Sequence, residues 1–194
     1  METVAHDCIE TVETVHASRP GLKEEPLEEA DHTWYIGGSS LVKSGVGMAG
    51  YAVTTTDQVV EAKSLPKGTP AQRAEIIALV RALELAEALR VNIWTDSTYA
   101  FGVVHARGAI WKERGLLTAQ GKVIKHADVI LRLPDAAHLP SAVAIMHCKG
   151  HQKGNAGREV GNKSADHEAR QAVEQGEVLG LIPGKSLPLP ERVE

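Results

Sequence analysis

The sequence predicts an α/β fold in which a five-stranded mixed sheet carries helices on both faces. Three β-rich runs at residues 32–37, 46–56 and 58–65 follow one another with glycine or Thr-Asp breaks, the pattern of an antiparallel meander. A long helical segment and a short apolar strand come next, which is typical of a parallel crossover. Hydrophobic residues make up 43% of the 194 residues, which suffices for one core and suggests a single domain.

The composition argues against three classes of protein: disulfide-rich or zinc-bound scaffolds, membrane-spanning proteins and strongly basic nucleic-acid-binding proteins. The two cysteines, Cys8 and Cys148, have no spacing that suggests a disulfide scaffold or a zinc cage, so we expect a reducing, intracellular setting. The chain has no apolar run of bilayer length, so we expect no membrane contact within it. The net charge of −4 argues against binding nucleic acid through a general positive field, although a local basic patch stays possible.

Charge and proline content predict three regions. Residues 1–30 are acidic and contain prolines, which is typical of a linker. The globular domain is expected over residues 31–175, and the Gly/Pro-rich residues 176–194 are expected to form a tail that tethers a neighbouring domain.

The long helix is predicted to begin at the Thr69-Pro70 pair, with Thr69 as N-cap and Pro70 at the first helical position. It runs from residue 71 to 89 without a breaker, and residues 90–94 form the following strand. Its apolar side chains recur at helical spacing, so one face should be buried. The predicted core contains Trp34, Val53, Ile76, Leu79, Val80, Leu83, Leu89, Ile93 and Ile145.

The second half of the chain is predicted to hold a helix from a Ser97 cap to about His105, a short helix over 109–114, a helix over 121–131, a strand over 142–148, a Gly-rich loop over 149–158 and a last helix over 159–173. Pro134 should prevent the third of these helices from continuing, because a proline inside a helix removes a hydrogen bond and costs about 3 kcal/mol.

Four motifs follow the first strand in a fixed order. They are Gln72-Arg73-Ala74-Glu75, Thr95-Asp96-Ser97-Thr98-Tyr99-Ala100, His147-Cys148-Lys149-Gly150-His151 and Gly161-Asn162-Lys163-Ser164-Ala165-Asp166. Together with Trp34-Tyr35-Ile36-Gly37-Gly38-Ser39-Ser40, they closely resemble the ribonuclease H domain of gammaretroviral reverse transcriptases. The resemblance implies a ribonuclease H-like fold, in which residues 109–114 form the extra short helix known as the basic protrusion.

The resemblance also implies a metal site that lacks one ligand. The family hydrolyses phosphodiesters with two divalent ions roughly 4 Å apart, held by four carboxylates. Its first strand ends Asp-Gly-Ser, whereas Gly37 stands at the aspartate position here. We therefore expect Glu75, Asp96 and Asp166 to hold at most one weak divalent ion, with no cofactor required and the ancestral Mg²⁺ site defective. His151 matches the family's mobile histidine and is assigned a former catalytic role.

Each acid has a simpler interpretation when it is taken alone. Glu75 would be a solvated helix acid, Asp96 a helix-capping acid and Asp166 a surface charge. The ordered set with matching flanks favours descent from a metal site instead. Zinc is disfavoured, because His147, Cys148 and His151 supply three ligands and a structural zinc site needs four.

Several residues are candidates for binding nucleic acid through its backbone. Gln72 and Tyr99 match family positions near the substrate, although Tyr99 could equally be a core aromatic. Arg73, Lys112 and Arg114 could line a basic groove, and a merely solvated surface is nearly as good an explanation. Glu113 reverses one charge of the protrusion, so we expect a weaker grip on a hybrid.

These inferences predict a catalytically impaired ribonuclease H-like domain that is derived from a retroviral polymerase and is not an enzyme. It is expected to belong to a larger polypeptide, most simply as a copy domesticated in a host protein of the NYNRIN-like kind. Its retained role would be weak binding of an RNA/DNA hybrid or other nucleic acid, or protein interaction. Two alternatives stay open: a residually active, metal-dependent ribonuclease H, and a structural spacer.

Overall fold

The computed structural model describes residues 19–107, 115, 121–149 and 157–180. Five strands form one sheet in the order β3-β2-β1-β4-β5. The strands are β1 (His32–Lys43), β2 (Val46–Thr54), β3 (Val59–Leu65), β4 (Arg90–Thr95) and β5 (Ala142–His147). The helices are α1 (Ala71–Leu85), α2 (Thr98–Gly102), α3 (Ala127–Ile130), α4 (Arg132–Ala137) and α5 (Gly157–Gly180), with a π-helical turn over Val103–Arg107.

The sheet is mixed, as predicted. β1 pairs antiparallel with β2 and β2 antiparallel with β3, whereas β4 runs parallel to both β1 and β5. β1 continues to Lys43, past the predicted end at Gly37. The reason is that β2 supplies antiparallel partners as far as the Lys43–Val46 pair, although the pairing with β4 ends at Ile36.

The main core lies between the sheet and α1. Its predicted members are buried there, with the exception of Leu89, which is half-buried. α5 covers the opposite face of the sheet and packs on β1, β2 and β3. Helices on both faces are therefore confirmed. No helix among the described residues is long and apolar enough to cross a bilayer.

Both ends of α1 differ from the prediction. The Thr69 hydroxyl donates to the carbonyl of Pro66 at 2.6 Å and does not cap the helix, which begins at Ala71 after Pro70. At the other end α1 stops at Leu85, four residues before the predicted end. Ala88 adopts a left-handed φ of 63°, which turns the chain out of the helix and towards β4.

The helical segment around Pro134 divides into two short helices. α3 covers only Ala127–Ile130, and α4 begins at Arg132. Pro134 is the third residue of α4, where its missing N–H has no intrahelical acceptor in any case. The proline is thus accommodated by starting a new helix. It does not simply end the preceding one.

The part of the predicted linker that the structure describes, residues 19–30, packs against β5. The Lys23 N–H donates to the carbonyl of Val143 at 3.3 Å, and the Ile145 N–H donates to the carbonyl of Lys23 at 3.0 Å. Leu27 is buried in a small second apolar cluster with Ala144 and Met146. This segment therefore continues the sheet beyond β5 by one isolated bridge.

Arg19 ties this segment to the turn before β5. Its guanidinium donates to the carbonyls of Ala137, Pro140 and Ser141 at 3.0, 2.6 and 3.0 Å. We expect Arg19→Ala to lower the free energy of unfolding by about 1–2 kcal/mol, because these contacts are lost together. Urea denaturation measures this, with the exposed Lys67→Ala as control. Equal stability of the two variants would mean that the segment is only loosely held.

Several predictions fall at or beyond the limits of the described residues. α5 reaches Gly180, past its predicted end at residue 173 and into the predicted tail. The remainder of the tail, the protrusion over 109–114 and most of the loop over 149–158 lie outside the described residues.

Candidate active site

Three strands bring the candidate site to one edge of the sheet. In the register of the parallel pairs, Ile36 lies beside Thr95, and Thr95 lies beside His147. The next residue along β1 is Gly37 and the next after β4 is Asp96, so these two are neighbours. The carboxyl ends of parallel strands are where such folds place their ligands.

Glu75 is delivered to this edge by α1. A Cβ built on Gly38 would lie only 2.6 Å from the backbone nitrogen of Glu75, so the glycine allows α1 to rest directly on β1. The Ser97 hydroxyl donates to Glu75 Oε2 at 2.6 Å. The same Ser97 oxygen accepts from the N–H of Ala100 and caps α2, as the sequence predicted. Ser97 thus fixes the direction of the Glu75 carboxylate.

Asp166 is delivered from the opposite face by α5. A Cβ on Gly37 would lie 2.9 Å from the carbonyl carbon and oxygen of Ala165 and 3.2 Å from the backbone nitrogen of Asp166. One turn earlier on α5, the buried Asn162 donates to Asp96 Oδ2 at 3.4 Å. α5 therefore supplies one acid and orients another.

The three acids interact electrostatically. Burial raises the pKa of Glu75, and the charges of Asp96 and Asp166 raise it further, against the hydrogen bond from Ser97. Within the described ranges, no three His, Cys, Asp or Glu side chains stand in a ready-made metal site. The donor chemistry nevertheless suits a divalent ion, because carboxylate oxygens are the ligands that Mg²⁺ prefers.

Cys148 borders the same edge but has no reactive character. Burial raises the pKa of its thiol to about 11, with a further contribution from Asp96. The thiolate is the nucleophilic form, so the raised pKa keeps this cysteine as the neutral thiol near neutral pH. The absence of zinc at His147, Cys148 and His151 stays a prediction. His151 itself lies outside the described residues.

The predicted nucleic-acid-binding residues have different surroundings. Arg73 binds Asp128 through two hydrogen bonds of 2.7 and 2.5 Å, and its hydrogen bonds and charge hold the pKa of Asp128 at about 2. Gln72 is exposed at the start of α1, whereas Tyr99 packs partly buried against the main core. Lys112 and Arg114 lie outside the described residues. A binding role for this set stays a prediction.

Sequence reasoning missed three positioning residues. Ser97 was predicted only as a helix cap, and Asn162 and Gly38 were named within their motifs without a positioning role. A signal was present for the first two, because Ser97 follows Asp96 directly and Asn162 lies one helical turn before Asp166 in its motif. Their partners across the fold could not be read from spacing along the chain.

The chain is similar to known proteins of one family. A family model described as RNase H matches residues 29–174. The chain is 45% identical over 188 residues to the Gag-Pol polyprotein of Feline leukemia virus, covering 96% of this chain and 11% of that protein. It is 49% identical over 164 residues to the Pol polyprotein of Radiation murine leukemia virus (strain Kaplan), covering 84% and 28%. The chain thus spans only a small part of these relatives.

Solved structures support the fold. The solution structure of the PFV RNase H domain matches with a TM-score of 0.62 and 27% identity, covering 76% of this chain and 96% of that one. A foamy viral protease-reverse transcriptase in complex with an RNA/DNA hybrid matches with a TM-score of 0.64, covering 79% and 21%. At 24% identity, this second likeness is evidence for the fold alone.

Proposed function

Because this chain belongs to the ribonuclease H family, in the form found in gammaretroviral Pol polyproteins, we propose that it hydrolyses the RNA strand of RNA/DNA hybrids with a divalent metal ion. One observation carries the proposal. Three separate elements bring Glu75, Asp96 and Asp166 to one edge of the sheet, close enough for the two aspartates to raise the pKa of Glu75.

The family assignment corrects one prediction. The expectation that the chain is not an enzyme is wrong, because its relatives at 45% and 49% identity are retroviral Pol polyproteins, whose RNase H domains are hydrolases. Gly37 alone is not evidence that this copy is inactive. Domestication in a host protein remains a prediction.

Metal-dependent hydrolysis needs carboxylates that are held in fixed positions and whose negative charges are balanced by the bound cation. Glu75, Asp96 and Asp166 would hold the ion, which when bound activates water and stabilises the leaving oxygen. Ser97 and Asn162 keep two of these carboxylates in fixed directions. Gly37 brings no charge to this edge. We therefore expect one ion instead of a pair, and a turnover at least about a hundredfold lower than that of a relative with an acid there.

Binding of the hybrid is proposed to be weak and directed at the nucleic-acid backbone. The foamy viral relative was solved with an RNA/DNA hybrid, and the family likeness suggests Gln72, Arg73, Tyr99, Lys112 and Arg114 as contacts here. Each phosphate neutralised contributes roughly −0.9 to the slope of log affinity against log salt on duplex DNA. Three or four such contacts would give a slope of about −3.

The full chain should be tested on a hybrid whose RNA strand is labelled, with magnesium or manganese. Cleavage of the RNA in the hybrid is expected, with single-stranded RNA and duplex DNA left intact and with complete loss of cleavage in chelator. Protein carrying Asp96→Asn, purified in parallel, controls for contaminating nuclease. If the hybrid binds but is not cut at any manganese concentration, the enzymatic proposal fails and a binding role replaces it.

A further inference from the structure

We propose that Gly37 is a positioning residue for Asp166. Without a Cβ at this position, the backbone of α5 rests directly on β1, and this contact holds Asp166 at the edge where Glu75 and Asp96 stand. The inference rests on the proposed metal-dependent function. It goes further because it assigns a structural role to Gly37, which the sequence alone identifies only as the position of a missing acid.

Gly37 and Gly38 of β1 are the contact points for the two helices, α5 and α1, on which Asp166 and Glu75 lie. Gly38 meets the backbone of Glu75 on one face of β1, and Gly37 meets the backbone of Ala165 and Asp166 on the other. The contacts at both positions are with backbone atoms, so no neighbouring side chain can rotate away to make room. A Cβ at 2.9 Å from the Ala165 carbonyl would have to displace the helix itself.

An aspartate at position 37 would carry the same Cβ. Its carboxylate would add a ligand, while its Cβ would push the Asp166 end of α5 away from the sheet. The two effects oppose each other, so the acid cannot be regained in this chain without a shift of α5. At position 37, gaining a metal ligand therefore requires a looser packing of α5 on β1.

The sheet provides two matched control positions, and neither has a left-handed φ that alanine would resist. A Cβ on Gly50 would lie 2.8 Å from the carbonyl oxygen of Ala169, so it crowds the same helix one turn beyond Asp166. A Cβ on Gly47 would meet the backbone of Gly68 at an ordinary 3.6 Å. Gly50→Ala thus tests crowding of α5 away from the acid, and Gly47→Ala tests the change of residue alone.

The experiment measures manganese binding by calorimetry on the full chain without nucleic acid, together with the melting temperature in chelator. Gly37→Ala and Gly50→Ala should both lower the melting temperature by about 5 °C, because overpacked helices are strained. Gly37→Ala alone should weaken manganese binding, about fivefold or more, although it removes no ligand. Gly47→Ala should change neither quantity.

The possible outcomes separate this inference from the proposed function. Equal manganese affinities for Gly37→Ala and Gly50→Ala, or an unchanged affinity in Gly37→Ala, would overturn the positioning role while leaving a metal-binding site in place. Absence of manganese binding in the unaltered chain would instead overturn the metal site on which both proposals depend. Gly37→Asp adds a further arm. It should melt below the unaltered chain in chelator, and a higher melting temperature would contradict the crowding at Ala165.

Discussion

Asp96→Asn is expected to lower metal-dependent cleavage of an RNA/DNA hybrid by about a hundredfold or more, because it removes a full negative charge from the point where a divalent ion would be held. Asp96 follows Thr95, whose partner on β1 is Ile36, and the residue after Ile36 is Gly37, so β1 offers no acid at this level to take the place of Asp96. Asparagine keeps the size of the side chain. The effect should therefore appear in turnover and in manganese affinity while the fold is retained.

The control for this prediction is Asp135→Asn, which removes an exposed carboxylate from α4. It should leave turnover unchanged. In chelator, Asp96→Asn should melt no lower than the unaltered chain, because Asp96 repels Glu75 when no metal is bound. Substantial cleavage by the Asp96→Asn protein would show that the hydrolysis does not use this edge of the sheet.

Among the substitutions considered for stability, Glu61→Ala is expected to lower the free energy of unfolding the most, by about 3 kcal/mol. Only 7% of the Glu61 side chain is exposed. Arg81 donates to both of its carboxylate oxygens, at 2.8 and 3.0 Å, and Tyr51 donates to one at 3.0 Å. Removing the carboxylate leaves a guanidinium and a buried hydroxyl without their acceptor. Urea denaturation measures the loss.

Glu84→Ala provides the matched comparison. Glu84 also contacts Arg81, at 3.5 Å, but its side chain is 31% exposed, so we expect a loss of less than about 1 kcal/mol. Equal losses of unfolding free energy for the two variants would show that the burial of Glu61 does not increase its contribution to stability.

The contribution of Glu61 should depend on pH. Burial raises the pKa of Glu61, but hydrogen bonds and charge from Arg81, with donors from Lys63 and Tyr51, outweigh burial and hold this pKa below its ordinary value. A carboxyl whose folded pKa is lowered stabilises the protein above its unfolded pKa, about 4.3, and loses that contribution as the pH falls through the folded value. The gap in stability between the unaltered chain and Glu61→Gln should therefore be full at pH 7 and shrink below about pH 4. A gap that stays constant down to pH 3 would contradict this assignment.

Local patterns in the sequence were enough to predict the sheet and the order of its elements. The buried face of α1 could be predicted because Ile76, Leu79 and Leu83 recur at the helical period, and this period is a property of the chain itself. The Ser97 cap could be predicted for the same reason, since its partner Ala100 lies three residues away.

Contacts between residues far apart in the chain were decided only by the tertiary structure. Pro134 fits because a new helix starts at Arg132, and Arg73 is engaged because α3 places Asp128 beside it. The packing of residues 19–30 against β5 also joins segments that lie more than a hundred residues apart, as in the hydrogen bond from Lys23 to Val143.

The same holds for the site. The order of the motifs predicted which acids belong together, but their directions depend on Ser97 reaching Glu75 and Asn162 reaching Asp96. Sequence comparison treats Gly37 as a missing acid. The structure shows it as the place where α5 touches β1, because the absence of a Cβ matters only when another backbone lies within about 3 Å of it.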